Sequence, residues 1–408
     1  MDPTRLYIGL MFFNSLLFSM IFLVTSLYEV SVAGLSGLQL VLVGTTVEVT
    51  ILLFEIPTGV VADAYSRRIS VIIGYFIMGL GFIVEGSFPV FIPILLAQVL
   101  WGVGYTFTSG ATQAWLSDEI GEAQANRTFL RANQFELGGA LMGMLVAIPL
   151  GNLALNLPIV LGGCAIAGLA GVLMLVMPEN GFHPVSEEKR NTWQGMAAIF
   201  KKGMNTVRAR PTLLAILGVG LVFGLYSEGW DRLWTKYLVD NFAIPNIFGM
   251  NAAAFFGLLR AGGMILAILV TRWVEKRLDT SNRSAIARAM MGLTALLTVS
   301  IIMFAFSPAL VVSIGAIWLV SITRNVMAPL YDAWVNQRLD TDTRATVISM
   351  SGQVDAIGQI ASGPLAGLIS LWSIKAAITC AGFLLTPALP LIARVNRLQS
   401  EESALNQP

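Results

Sequence analysis

The sequence predicts an all-α polytopic membrane protein: twelve transmembrane helices arranged as two pseudo-symmetric halves of six. Three observations carry this prediction: the composition, a series of apolar stretches long enough to span a bilayer, and a weak internal repeat. Of the 408 residues, 56% are hydrophobic and 12% charged, and the mean hydropathy is +0.74. A soluble domain carries about 25% charged residues, because its surface faces water. The formal net charge is +1, and no basic cluster is dense enough to track phosphates, so no nucleic-acid partner is expected.

Apolar segments of roughly 20 residues cross a bilayer as helix, and about twelve can be laid along the chain. The first six fall at about 6–28, 39–62, 69–88, 91–115, 127–150 and 157–177. After a polar stretch, six more fall at about 211–237, 250–272, 285–306, 309–334, 345–371 and 374–393. The opening "MDPTRLYIGL" runs into the first of these without a small-residue cleavage site, so it reads as a transmembrane helix rather than a removed signal.

Lysine and arginine placement predicts the orientation. About 20 of the 25 basic residues fall on one side, among them Arg5, Arg67, Arg68, Arg127, Arg131, the cluster from Lys189 to Arg210, Arg338, Arg344, Arg394 and Arg397. On the other side, "YEVSVAGLSG", "LGNLALNLP" and "FSPAL" carry none. Both termini and the central loop are therefore expected in the cytoplasm, with the chain in the plasma (inner) membrane. The expected division is a half at 1–178, a loop at 179–210, a second half at 211–394 and a tail at 395–408.

The six-and-six layout directs attention to a repeat. A shift of about 219 residues sets Pro89 on Pro308, "AWL" at 114–116 on "AWV" at 333–335, and "QFE" at 134–136 on "QVD" at 353–355. Gly139 falls on Gly358 at the same shift. Parallel halves of this kind are one way secondary transporters are built.

These features resemble the major facilitator superfamily, and "GVVADAYSRR" strengthens the likeness. It is similar to the superfamily's Gly-x-x-x-Asp-Arg-x-Gly-Arg-Arg/Lys signature between the second and third helices. Gly59, Asp63, Arg67 and Arg68 match, while Ala64 and Ser66 replace the usual arginine and glycine. The resemblance implies a substrate site between the halves and a conformational latch in which Asp63 bridges them. In that latch Gly59 permits close helix approach, and Arg67 and Arg68 pair with acids such as Asp118 in "WLSDE". Marking the inside of the membrane also accounts for the two arginines.

Within the superfamily the sequence is nearest to the drug–proton antiporters, the multidrug efflux type linked to antibiotic resistance. It departs from them at two places. Gln98 in "QVLWGVG" stands where they carry an arginine, and Pro149 lies late in "GGALMGMLVAIPLG" without its preceding glycine. A "GPLAG" at 363–367 occurs in the eleventh helix instead.

Charges inside a bilayer are costly and mark function. Glu48, Glu136, Glu228, Asp231 and Asp355 are the candidate proton carriers, Glu136 and Asp355 being related by the repeat. The last two serve equally well as caps facing a wet vestibule. Arg260 and Arg324 either bridge to one of these acids or line the cavity. Asn14, Gln98, Trp101, Tyr105 and Trp230 are the further cavity candidates, from helices that line the cavity in the superfamily. Glu228 and Asp231, three apart, share a helix face and mix with Trp230 and Trp234, and an aromatic-plus-acid face is suited to a lipophilic cation. Trp234 and Tyr237 fit an interfacial belt.

Cys164 and Cys380 are expected as small buried hydrophobes, and His183 as a loop residue. No metal spacing or nucleophile–base pair appears, so neither a metal site nor an enzyme is expected. The expected partners are a small-molecule substrate and the lipid bilayer, with a monomeric chain and no cofactor beyond a proton gradient. The expected function is proton-coupled efflux of amphipathic, drug-like molecules, with uptake or facilitated transport of a metabolite or lipid-like molecule as the alternative.

Overall fold

In hydrocarbon every backbone N–H and C=O needs a partner within the chain, so an apolar chain of this composition folds into helices. In the computed structural model, residues 1–184, 204, 207–208, 210–247, 249, 252–279, 282–336 and 341–405 are described. Their regular elements are all α-helices, and twelve spans are long and apolar enough to cross a membrane. The first half holds α1 (Pro3–Ser31), α2 (Gly37–Ala64), α3 (Arg67–Ser87), α4 (Phe91–Thr108), α5 (Ala111–Ile120), α6 (Glu122–Leu153) and α7 (Leu157–Val176). The second holds α8 (Pro211–Asn241), α9 (Ala252–Arg277), α10 (Arg283–Ala305), α11 (Leu310–Asn336), α12 (Thr341–Trp372), α13 (Ile374–Leu384) and α14 (Ala388–Leu405). The basic cluster between Lys189 and Arg210 falls largely outside the described residues, as do Arg338 and the side chain of Arg344.

Local chemistry sets the ends. Asp2 accepts from Thr4 N at 3.3 Å with Pro3 in the first turn, and Ser66, Asn282 and Ser373 cap α3, α10 and α13 in the same manner. The fourth span is not one helix. At Gly110 the backbone turns to φ 72°, a left-handed conformation that glycine adopts without steric cost, and this separates α4 from α5.

The chain forms two compact units. One contains Met1–Leu35, Thr46–Gly195 and Ile244–Leu258; the other contains Ser36–Thr45, Met196–Ala243 and Leu259–Pro408. The two are built alike. In the first, α1 runs along α6, and α3 packs on α4 and α7. In the second, α8 runs along α12, and α10 packs on α11, α13 and α14.

The paired helices approach through small residues. A Cβ at Gly139 would strike the Phe12 carbonyl, and one at Gly143 the Leu16 carbonyl. In the second unit a Cβ at Gly358 would strike the Leu221 carbonyl. With no water-driven attraction between helices in lipid, such contacts supply van der Waals energy that side chains would block. The repeat reaches the core as well: Trp115 and Trp334 are 1% and 0% exposed.

Some expectations change here. Cys164 and Cys380 are exposed on the protein surface rather than buried. An apolar stretch in a bilayer can face lipid, so apolar neighbours in sequence do not imply protein neighbours in space. A Cβ at Gly59 would meet nothing within 4 Å, so close approach is not what that glycine provides in this structure. His183 is an exposed loop residue.

Candidate functional site

Among the described residues, three clusters hold many of the polar side chains. The first lies at the arginine-bearing end of the first unit. Arg67 donates to Asp63 at 2.9 Å and also to Asp118, so one guanidinium joins α2, α3 and α5. Ser66, buried at 4%, both caps α3 at Ile69 N (2.9 Å) and donates to Glu179 at 2.6 Å. Glu179 also accepts from Arg68 N at 2.9 Å, which places an anion at the positive end of α3. The Arg68 guanidinium donates to the Met174 carbonyl at 2.6 Å, satisfying a carbonyl at the end of α7. Glu119 accepts from Asn180 N and Gly181 N, and the Trp115 indole donates to the Pro178 carbonyl at 2.6 Å. Glu119 and Glu179 were not singled out from the sequence. The available signals were the Ser66 capping position and a glutamate immediately after a span in "MPENG".

The second cluster is a cavity of about 370 Å³ in the first unit. Asn14 from α1, Tyr75 from α3, Trp101 and Tyr105 from α4, Gln113 from α5 and Glu136 from α6 line it. Trp101 and Tyr105 stack with centroids 5.6 Å apart and planes 18° from parallel. Ser15 Oγ donates to the Glu136 backbone carbonyl at 2.8 Å, which fixes α6 against α1 at that level. The Glu136 carboxylate has no hydrogen bond or ion pair among the described residues.

Gln98 stands apart from this cavity. It is buried and donates to Glu85 at 3.1 Å, while Tyr28 donates to the Glu85 backbone carbonyl at 3.0 Å. Glu29 and Glu85, 3% and 1% exposed, are acids that span-end reasoning passed over. Glu48 is half-buried mid-way along α2, and Glu55 is exposed.

The third cluster lies in the second unit, where Arg324 stands between two cavities. It donates twice to Asp231, once at 3.0 Å, and its guanidinium is 5.8 Å from the Tyr226 ring centre. Of the readings left open for Arg324, bridging to an acid is the one observed, and Arg324 lines the cavities as well. On one side a cavity of about 380 Å³ holds Tyr226, Ser227, Asp231, Tyr331, Asp355 and Gln359. There Asp355 accepts from Gln359 at 2.7 Å. On the other side a cavity of about 350 Å³ is walled by Trp230, Trp234, Arg260 and Trp318, the last donating to the Leu259 carbonyl at 2.9 Å.

Glu228 and Asp231 therefore do not act as one acidic face. Glu228 is 3% exposed and pairs with Arg232 at 3.5 Å. Gly44 makes room for that pair, since a Cβ there would strike both side chains. Nor are Trp234 and Tyr237 an interfacial belt. They are 9% and 6% exposed, Trp234 lines a cavity, and Tyr237 donates to the Ala305 carbonyl at 2.7 Å.

The superfamily sequence pattern described as Major Facilitator Superfamily matches residues 7–363. The chain belongs to the Major Facilitator Superfamily. It is a multi-pass membrane transporter and not an enzyme. It is 22% identical over 337 residues to the uncharacterized MFS-type transporter YxaM of Bacillus subtilis (strain 168), covering 82% of this chain and 81% of that protein. Solved structures confirm the superfamily fold. The nucleoside transporter NupG superimposes with a TM-score of 0.71 at 14% identity, covering 98% of this chain and 99% of that one. A bacterial homolog of the human lysosomal transporter Spinster gives 0.71 at 13% identity, with 98% of each chain covered. A POT family transporter in complex with a thioalcohol-conjugated peptide also gives 0.71 at 13%, over 98% and 96%.

Against the superfamily signature, the two departures now have local reasons. Ala64 is buried at 8%, where a long cationic side chain would need a partner, and Ser66 supplies a helix cap that glycine lacks.

Proposed function

We propose that this superfamily member is a secondary active transporter working by alternating access, exporting amphipathic small molecules in exchange for protons. The observation that carries the reading is the placement of ionisable groups beside aromatic and methionine side chains in cavities of the spanning region. Glu136 faces Trp101, Tyr105 and Met78, and Asp231, Arg324 and Asp355 face Tyr226, Met327 and Tyr331. Charged groups at this depth are retained for substrate or proton handling, and polarizable Met and aromatic walls suit ligands of variable shape. The chain acts in the plasma membrane as a monomer, with its termini in the cytoplasm, and needs no cofactor beyond the proton gradient.

The test is a substrate screen on proteoliposomes with and without an imposed pH gradient. Gradient-dependent flux of amphipathic compounds out of the cytoplasmic-equivalent side, with counterflow of protons, is the expected result. A second reading, uptake of a polar metabolite, draws on the hydrogen-bonding groups Ser227, Tyr331 and Gln359 beside the Arg324–Asp231 pair. Flux of polar solutes in the direction of the proton gradient would select it instead.

A further inference from the structure

The two cavities that share Arg324 differ in charge. One holds Asp231, Asp355 and Arg324. The other is lined by Arg260 and Arg324 and by no aspartate or glutamate. Arg324 is already engaged, since each oxygen of Asp231 accepts from one of its guanidinium nitrogens. Asp231 is also within electrostatic reach of Arg260, whereas Asp355 lines the first cavity only. Two positive charges and one negative therefore bear on the second cavity, and the surplus is positive. The other acids of α8 have their own partners, Glu228 with Arg232 and Asp240 with Lys236.

The walls of this cavity are aromatic and held in place. The Trp318 indole N–H donates to the Leu259 carbonyl at 2.9 Å, one residue before Arg260. The same ring lies against a glycine pair of α9, where a Cβ at Gly262 or Gly263 would come within 2.9 or 3.2 Å of it. Trp230 meets Phe304 edge-on with ring centres 5.0 Å apart, and Trp234 extends the wall. Rings already fixed lose little freedom when a flat ligand packs on them. The volume, about 350 Å³, falls in the range of small-molecule sites. A guanidinium beside such walls presents a planar fork of donors, the shape that paired oxygens of an acid group match.

We propose that this cavity binds an organic monoanion with a planar aromatic body, its acid group on Arg260 and its rings against Trp230, Trp234 and Trp318. It rests on the transport reading above and gives that reading a substrate class, amphipathic aromatic acids. Asp231 sets the count of charges: by holding Arg324 it leaves one guanidinium for the ligand.

The test is titration calorimetry on the full chain in nanodiscs of a zwitterionic lipid, with empty discs as the blank. The probes are naphthalenesulfonate, an anion at every working pH, its neutral counterpart naphthalenesulfonamide, and methanesulfonate, which keeps the charge and lacks the rings. The aromatic anion should bind roughly tenfold or more tightly than either of the others. Arg260→Gln should bring naphthalenesulfonate down to the affinity of the sulfonamide. Arg260→Lys keeps the charge without the fork and should weaken the sulfonate more than the sulfonamide, which preserves the test if the glutamine variant does not fold. Trp318→Leu should weaken both aromatic probes by the same factor and so leave the preference for the anion intact.

Equal affinity for sulfonate and sulfonamide, absent sulfonate binding, or a preference that survives Arg260→Gln would overturn the proposal. Proton-coupled flux of uncharged or cationic amphiphiles, with no sulfonate binding, would remove this inference and leave the transport reading in place. Sulfonate binding that depends on Arg260, without flux of any compound in proteoliposomes, would support the site and remove the transport reading.

Discussion

Ser66 shows how much one side chain can decide. It caps α3 and holds Glu179 against the same helix end. Ser66→Ala is expected to lower stability by about 0.5–2 kcal/mol, read as a lower unfolding temperature in detergent, whereas Tyr65→Ala, at an exposed neighbour, should not. At Asp63, Asp63→Asn removes the anion that Arg67 bridges to Asp118. Transport should fall while expression stays near normal, and unchanged rates in vesicles would discount the latch. For Arg324 and Asp231, single neutralisations should each impair transport, and the double variant Asp231→Asn with Arg324→Gln should lose less than the sum. Both side chains are more than a third exposed, so the stability coupling in a double-mutant cycle should be small, about 1 kcal/mol or less. The chemical type of these residues was plain in the sequence, but their partners were not. Glu228 and Asp231 share a helix face by spacing, yet each meets a different arginine, because the partner is set by which helix packs there.

Among the elements, the glycine contacts of α1 with α6 make the sharpest test. Gly143→Val would drive a side chain into the Leu16 carbonyl, costing about 1–3 kcal/mol if the helices can separate locally. Gly138→Val, where a Cβ would meet nothing, serves as the control. Folded yield by size-exclusion chromatography should fall for the first and hold for the second. The spans themselves were legible, since length and hydropathy suffice to find them. The break in the fourth was missed because Ser109–Gly110 sits in an otherwise helical pattern, and only a positive φ reveals it. Facing was also hidden. Spacing places Trp234 near a span end without saying which neighbours it meets, and it lines a cavity rather than a membrane interface.

For the whole molecule, the repeat was readable from a handful of unusual residues and returns as matched packing in both units. It is not a copy: the Trp115 indole bonds to the Pro178 carbonyl, while the Trp334 indole has no acceptor among the described residues. The charge asymmetry makes an orientation prediction. Reporters active only in the cytoplasm should work at either terminus and fail within "VAGLSG" at 32–37, and the opposite pattern would invert the topology. Finally, the hydrogen bonds gathering Pro178, Glu179, Asn180 and Gly181 onto α3 and α5 fix where foreign sequence belongs. A fluorescent protein or protease site spliced in after Pro184 spares every one of them, whereas the same graft four residues earlier would cut the chain out of its own anchorage.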